Sequence, residues 1–456
     1  MEPSLMVVGL NYRTAPVAVR ERFWISENRR CEALVHLSRA EGIDEVIVLS
    51  TCNRTEFLLW ANDVTLAANS VMRLLAAEYG LQLCEWKHFY RLLDEAALLH
   101  IFRVASCLDS MVVGAPQIIQ HVKEAWQQAQ KLGATGRFLD AVLQKALSVS
   151  ERVRSETAIG KQAVSIPSTA VEFARQTLGT LEYKKILLIG AGEMCELSAC
   201  GLLKQGGSSI SVVVVNRTFE NAAELAAKVG GIAIPFEERW QHMAEADIII
   251  TSTSCPHTIL GRDEAELIVS EANGRQQRNK NNKEDGPKED GPKEDRPLVI
   301  IDLAMPRNVD PAVRNVKNVF LCDLDDLENV PDRTAVEREA AAAEAQKILR
   351  AEAQGFRRKL TAEHVVPTVV AVRSRLDEIC RQELDAFRLE NGPFSKDQDE
   401  MLNAVMSRMT QRIAGSLARE VKELPEKVEQ ERMAIALQRL FHLPTSERAI
   451  AGTRPT

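Results

Sequence analysis

The chain has 456 residues, 45% of them hydrophobic and 27% charged, which is too long for one ordinary domain and predicts two to four, each able to bury a real core. Its formal net charge is −7. Function classes that rest on a globally basic surface are thereby excluded, and an RNA partner has to be met by local basic patches.

In chain order, Leu5 to Leu10 reads as a first strand, Thr14-Ala15-Pro16 as a turn, and Ser26 as the cap of a helix reaching about Ala40. Val46 to Leu49 and Phe57 to Trp60 are two further strand-like runs, joined by Ser50-Thr51-Cys52-Asn53-Arg54-Thr55-Glu56. A thiol on such a turn has two readings: a small apolar filler at a strand end, or a nucleophile whose thiolate is favoured by the neighbouring Arg54. Helical spacing follows over Thr65 to Tyr79 and again from Asp94, where Ala97, Leu98, Ile101, Phe102, Val104 and Ala105 share one side and His100 falls within the run. A lone helical histidine is commonly structural, but it is also a residue type suited to proton transfer near neutral pH. Gly114 and Pro116 mark a sharp turn that delivers Gln117 to the start of another helix. The helix expected over Phe138 to Thr157 carries Leu143, Ala146, Leu147 and Val149 on its apolar face and ends in Arg152 and Arg154. Together these elements predict a small α+β domain over residues 1–160.

Lys185 to Ile189 then reads as a buried parallel strand, and Gly190-Ala191-Gly192-Glu193-Met194-Cys195 follows it into an amphipathic helix. That is a dinucleotide phosphate turn: the first glycine makes the bend, the second admits the pyrophosphate, and the helix amino end faces its charge. Gly190, Ala191, Gly192 and Glu193 are therefore expected at the cofactor, with Cys195 in the third position of the motif. The next strand, Ser211 to Val215, ends in Asn216-Arg217-Thr218. No carboxylate stands there for a ribose hydroxyl, whereas a cation and a hydroxyl suit a 2′-phosphate, so NADPH is expected over NADH. Thr251 to Ser254 and Pro256, after another strand, are expected to border the nicotinamide. The alternation continues to Phe320-Leu321 and predicts a Rossmann domain over 161–328. Inside it, residues 273–297 hold K-E-D-G-P twice and K-E-D-R-P once, a composition expected to form a disordered surface insertion.

Arg333 to about Leu360 is strongly helical, and Pro367 is expected to end or kink that helix. Later segments to Phe441 carry apolar stripes such as Leu402, Val405, Met406, Met409 and Ile413. Stripes of this kind need a partner, which predicts a helical dimerisation domain within 329–456. The fold class is thus multidomain α/β. Nine cysteines without a C-x-x-C pair or a histidine cluster give no metal site and read as reduced thiols in the cytoplasm. The apolar run after Glu2 and Pro3 is too short for a signal peptide, and no run approaches a membrane span.

Several stretches resemble the glutamyl-tRNA reductase family over nearly the whole chain. Val8 to Pro16 is similar to its opening G-L-N-x-x-T-A-P, Ser50 to Glu56 to its active-site segment, Ser106 to Ile118 to its S-G-L-D-S-x-x-x-G-E-P-Q-I, and Ile301 to Val309 to its I-D-x-A-x-P-R-x-V. The resemblance implies that Cys52 takes glutamate from glutamyl-tRNA as a thioester, which NADPH reduces to glutamate-1-semialdehyde in the first step of five-carbon tetrapyrrole (5-aminolevulinate) biosynthesis. It implies a catalytic role for His100, substrate binding by Thr51, Arg54, Ser110, Gln117 and Ser148, and tRNA phosphates against Arg152 and Arg154. It also implies a spine helix, a homodimer, and hand-over of the aldehyde to glutamate-1-semialdehyde aminomutase. Hinges around residues 158–165 and 328–332 are expected to bring the nicotinamide to Cys52. Two departures stand out: Cys107 replaces the family's glycine and Ala115 its glutamate. They keep open a regulatory paralogue without turnover, and the cofactor half alone keeps open a shikimate-dehydrogenase-like reductase of a small carbonyl.

Overall fold

In the computed structural model, residues 3–111, 114–160, 165–281, 297–330, 335–423 and 427–443 are described. The chain divides into two compact units, residues 1–349 and 350–456. The first contains both the amino-terminal sheet and the Rossmann sheet.

The amino-terminal part runs β1 (Ser4–Asn11), α1 (Val17–Arg20), α2 (Glu27–Leu37), β2 (Ile43–Ser50), β3 (Arg54–Ala61), α3 (Val64–Tyr79), β4 (Tyr90–Leu93), α4 (Asp94–Ala105), α5 (Gln117–Lys131) and α6 (Arg137–Glu156). Its four strands pair antiparallel in the order β2-β3-β1-β4. Every residue of β3 is buried, which its aromatic and aliphatic content tolerates but its Arg54 and Glu56 do not without partners. Gly9 makes room for them. It pairs with Glu56 on one side and Tyr90 on the other, and a Cβ there would stand 2.5 Å from the carbonyl oxygen of Thr55. Asp63 caps α3 by accepting the Thr65 and Leu66 N–H groups, each at 2.9 Å. Ser26 precedes α2 as expected, but its hydroxyl makes no cap bond.

The Rossmann part follows as α7 (Ile166–Leu178), β5 (Lys185–Ile189), α8 (Glu193–Gly206), β6 (Ser211–Val215), α9 (Phe219–Val229), β7 (Ile232–Ile234), α10 (Arg239–Met243), β8 (Ile248–Thr251), α11 (Arg262–Asn281), β9 (Leu298–Asp302) and β10 (Val319–Cys322). Its six strands are all parallel, in the order β10-β9-β8-β5-β6-β7. Both faces of the sheet are covered, which is why β5 is continuously apolar: Ile186 and Leu188 enter the core on one face, Leu187 and Ile189 the core on the other. Each such side chain contributes about 1.5–3 kcal/mol on burial. Residues 273–281 of the expected disordered insertion are helical instead, because α11 continues to Asn281; Ala272 to Lys280 still includes helix formers before the Gly-Pro repeats. Residues 282–296 lie outside the described residues, as do 161–164 and 331–332 of the two expected hinges.

The second unit contains the distal part of α12 (Ala335–Asn391), α13 (Lys396–Glu423) and α14 (Lys427–Leu440). Helix α12 continues through Pro367, so of the two expected outcomes, an end or a kink, the first is not met; a proline removes only one N–H from a helical ladder. Val372 and Leu437 form a small core joined by Leu376, Leu417, Phe441 and Leu443. Met401, Val405, Met409 and Ile413 stay exposed, at 68%, 49%, 53% and 44%, four residues apart along α13. A single chain leaves this apolar stripe uncovered. Among the described residues no helix is long and apolar enough to cross a membrane.

Candidate active site

The reactive turn closes where Ser50 pairs with Thr55 at the ends of β2 and β3. Thr51 N–H donates to the Arg54 carbonyl at 2.8 Å, and Tyr12 N–H to the Asn53 carbonyl at 2.9 Å. The Ser50 hydroxyl accepts Ile25 N–H at 2.9 Å, and Thr55 donates to the Phe23 carbonyl at 3.0 Å. The turn is therefore pinned from three sides. Cys52 at its tip is half-buried and lines a cavity of about 460 Å³ together with Thr51, Arg54, Ser110 and Gln117.

Ser148 is not brought there. It is exposed on α6, whose buried side is Val142, Ala146, Val149, Ser150 and Val153; a residue one step before Val149 faces about 100° away from it. His100 is buried behind the turn and is not part of the cavity wall either. Its Nε2 lies 2.8 Å from Glu56 Oε1 and its Nδ1 3.4 Å from Asp109 Oδ2. Glu56 accepts from Arg54 Nη1 at 2.7 Å and also from the Tyr90 hydroxyl. Arg54 Nη2 donates to the Asp109 carbonyl, while its Nε has no partner among the described residues. Burial by itself would raise the Glu56 carboxyl, but Arg54 and His100 outweigh it and hold the group far below the usual carboxylate range. Burial likewise works to lower Arg54, and Glu56 and Asp109 raise it instead.

The Cys52 thiol does not titrate as the sequence suggested. Burial, the largest influence, pushes it above the ordinary thiol range; Arg20 draws it back, and Arg54 comes after Arg20 and the turn's own backbone bond. Arg54 is a weak activator because Glu56 already neutralises it. Arg20 and Asp109 are the polar residues that sequence reasoning missed around this turn, and Glu56, the carboxylate of the turn itself, is the partner that links Arg54 to His100.

A second cavity, of about 550 Å³, is lined by Gly190, Ala191 and Gly192 and by Asn216, Arg217 and Thr218, with Cys255 on its wall. Glu193 faces the thiol cavity instead, next to Met194. Gly190 has φ +115°, and a Cβ on it would stand 2.2 Å from the Ser252 carbonyl oxygen, so only glycine fits the bend. At Gly192, the N-cap of α8, a Cβ position meets nothing within 4 Å, leaving open space before a helix amino end. These residues fit the pyrophosphate of a nicotinamide nucleotide. Cys195 is fully buried, its thiol pushed up to about 12 by burial, and packs α8 against β5 as an inert filler. Ser252, Thr253 and Ser254, at the carboxyl end of β8, line both cavities; Thr251 is turned inward and donates to Asp302 at 2.7 Å.

Residues 8–157 match the family description "Glutamyl-tRNAGlu reductase, N-terminal domain", and residues 344–443 its "dimerisation domain". "Glutamyl-tRNA reductase" of Desulforudis audaxviator is 38% identical over 441 residues, covering 96% of this chain and 94% of the relative. The chain belongs to the glutamyl-tRNA reductase family. The relative of that name from Pelobacter propionicus is 36% identical, covering 97% of each chain. The solved structure "Glutamyl-tRNA Reductase from Methanopyrus kandleri" is 28% identical, covers 96% of this chain and 99% of its own, and superposes with a TM-score of 0.48. Residues 172–279 and 279–330 match "Shikimate / quinate 5-dehydrogenase", a likeness confined to the half that holds a nicotinamide nucleotide. As a glutamyl-tRNA reductase family member, the chain departs from the pattern at two sites with different surroundings. Ala115 lines the thiol cavity. Cys107 is 1% exposed, has φ +60° and lies outside that wall, with its thiol pushed up to about 12 by burial. A left-handed conformation costs a non-glycine residue about 1–2 kcal/mol, so this departure bears on the stability of the loop.

Proposed function

We propose that the chain reduces glutamyl-tRNA to glutamate-1-semialdehyde through a thioester on Cys52, with NADPH as reductant. The observation that carries this reading is the wall of Ser252 to Ser254 shared by the thiol cavity and the glycine-turn cavity. The Cys52 sulfur attacks the ester carbonyl, forming the C–S bond as the tRNA ribose oxygen leaves and takes up a proton. Arg54, fixed by Glu56 and Asp109 with one N–H unspent, suits the side-chain carboxylate of the glutamyl group. Thr51, Ser110 and Gln117 orient that group, and His100 acts on Arg54 through Glu56. Bound at the glycine turn, the nucleotide supplies the hydride that, with a proton, converts the thioester to aldehyde and free thiol. Ser148, exposed on α6, is left to an outer contact with the tRNA, as are Arg152 and Arg154.

The apolar stripe on α13 is the surface on which a second copy would pair, giving a homodimer. A reducing cytoplasm would keep the Cys52 thiol free, and an aldehyde product favours direct hand-over to glutamate-1-semialdehyde aminomutase. The test of the reading is intact and peptide mass spectrometry after mixing the protein with charged glutamyl-tRNA and no reductant. A glutamyl adduct on Cys52 is expected; its absence with active tRNA overturns the mechanism.

Preference for the phosphorylated nucleotide rests on Arg217, exposed beyond β6 with no carboxylate in Asn216-Arg217-Thr218. Arg217→Ala is expected to raise KM for NADPH by about 10–100-fold, the worth of a charged hydrogen bond, and to leave KM for NADH nearly unchanged. Equal rises for both nucleotides would place Arg217 elsewhere than at a 2′-phosphate.

A further inference from the structure

The reactive turn is tied to the Rossmann half through one side chain that the reaction above does not use. Arg20, the last residue of α1, is 2% exposed. Its Nε donates to the Cys52 carbonyl at 3.3 Å and its Nη1 to the Ala15 carbonyl at 2.9 Å. The same Nη1 lies 2.8 Å from Asp325 Oδ1, and Nη2 has no partner among the described residues. Asp325 stands just beyond β10, in the Rossmann half, and its Oδ2 accepts the Val17 N–H at 2.7 Å. One carboxylate therefore holds both the amino end of α1 and the cation at its carboxyl end. A second bridge, Arg307 to Glu21 at 2.7 Å, holds the neighbouring turn without touching Cys52.

Resting on the reading that Cys52 is the nucleophile, we propose that Arg20 is a positioning residue through which the docking of the Rossmann half, by way of Asp325, sets how readily Cys52 ionises. A cation beside a thiol favours the thiolate, and a carboxylate beside that cation takes part of its field away. With Asp325 in place the charge of Arg20 is shared; with Asp325 withdrawn it acts on the thiol alone. Among the other charged groups near the thiol, Arg54 from β3 is already compensated by Glu56 and Asp109. Glu27 and Arg30 face the cavity from α2, His121 and Glu124 from α5, and Glu193 from α8. None of these is altered in the variants below, so the two signs that follow belong to the Arg20–Asp325 pair.

The experiment is alkylation of the full chain by iodoacetamide between about pH 6 and 10, read at Cys52 by peptide mass spectrometry, with exposed Cys84 as internal reference. Asp325→Asn is expected to move the Cys52 midpoint down, so that its rate at neutral pH rises about threefold or more, the equivalent of half a pH unit. Arg20→Gln is expected to move the midpoint up and slow the reaction about tenfold, and Arg20→Lys, which keeps the charge, to restore the wild-type midpoint. Wild-type midpoints in both charge-removing variants, or shifts of the same sign, would overturn the proposal, the latter outcome marking a loosened turn. If Arg20→Gln does not fold, an unchanged midpoint in Asp325→Asn is sufficient to overturn it. The assay contains neither tRNA nor nucleotide, so it remains decisive even if no glutamyl adduct forms on Cys52.

Discussion

Cys52→Ser is expected to lower turnover of glutamyl-tRNA by at least about 10³-fold, the scale seen when a covalent nucleophile is removed, while nucleotide binding at the Gly190 turn stays at the wild-type level. The two sites share Ser252 to Ser254 but are lined by different elements, so a binding loss would mean that the substitution had disturbed the fold. The remaining activity of wild type should also carry a pH signature. Burial holds the Cys52 thiol above its ordinary range despite Arg20 and Arg54. Its thiolate fraction therefore grows as pH rises through and beyond the ordinary thiol value of about 8.5. Single-turnover thioester formation should climb over that range and be absent from the serine variant. A flat profile, with chemistry shown to be rate-limiting, would mean that another group is titrating or that the sulfur does not attack.

What the sequence disclosed about this site was what local rules control. Two apolar runs flanking S-T-C-N-R-T-E forced a tight connection, and the structure places Cys52 at its tip. A buried strand running into G-A-G forced a positive-φ bend, found at Gly190. Ser148 is implied by the family resemblance alone, whereas the helical period is legible in the sequence: Val142, Ala146, Val149 and Val153 define the inward line of α6 and turn Ser148 outward. Arg20 and Asp325 were illegible for a different reason. Their contact joins positions some 305 residues apart, and nothing in the periodicity of α1 or of the loop after β10 announces an ion pair between them. The influence of Arg54 on the thiol has the expected sign but comes after burial and Arg20, and Glu56, two positions along the same strand, is its ion-pair partner. Alternation in a half-exposed strand would separate such a pair from the core, but β3 is buried on both faces.

That double burial makes Glu56 the residue whose loss should cost the fold most. Arg54 is 1% and Glu56 2% exposed at the side chain, and breaking a buried pair leaves an uncompensated charge at a cost of about 3–5 kcal/mol. Glu56→Gln preserves shape, and Asp109 still approaches Arg54 at 3.6 Å, so the lower end of that range is expected. Hydrogen exchange of the β1 and β3 amides in the full chain measures it without assuming that both compact units unfold together. Acid should reveal the same term. Since the folded carboxyl titrates far below its unfolded value of about 4.3, its contribution is fully present above that pH and is lost as pH falls towards the folded value. The gap between wild type and Glu56→Gln should therefore be constant near neutrality and narrow below about pH 4.3. A gap that stays constant into acid would show that the variant acts through packing, and that Arg54, His100 and Tyr90 hold the base of the reactive turn without the charge on Glu56.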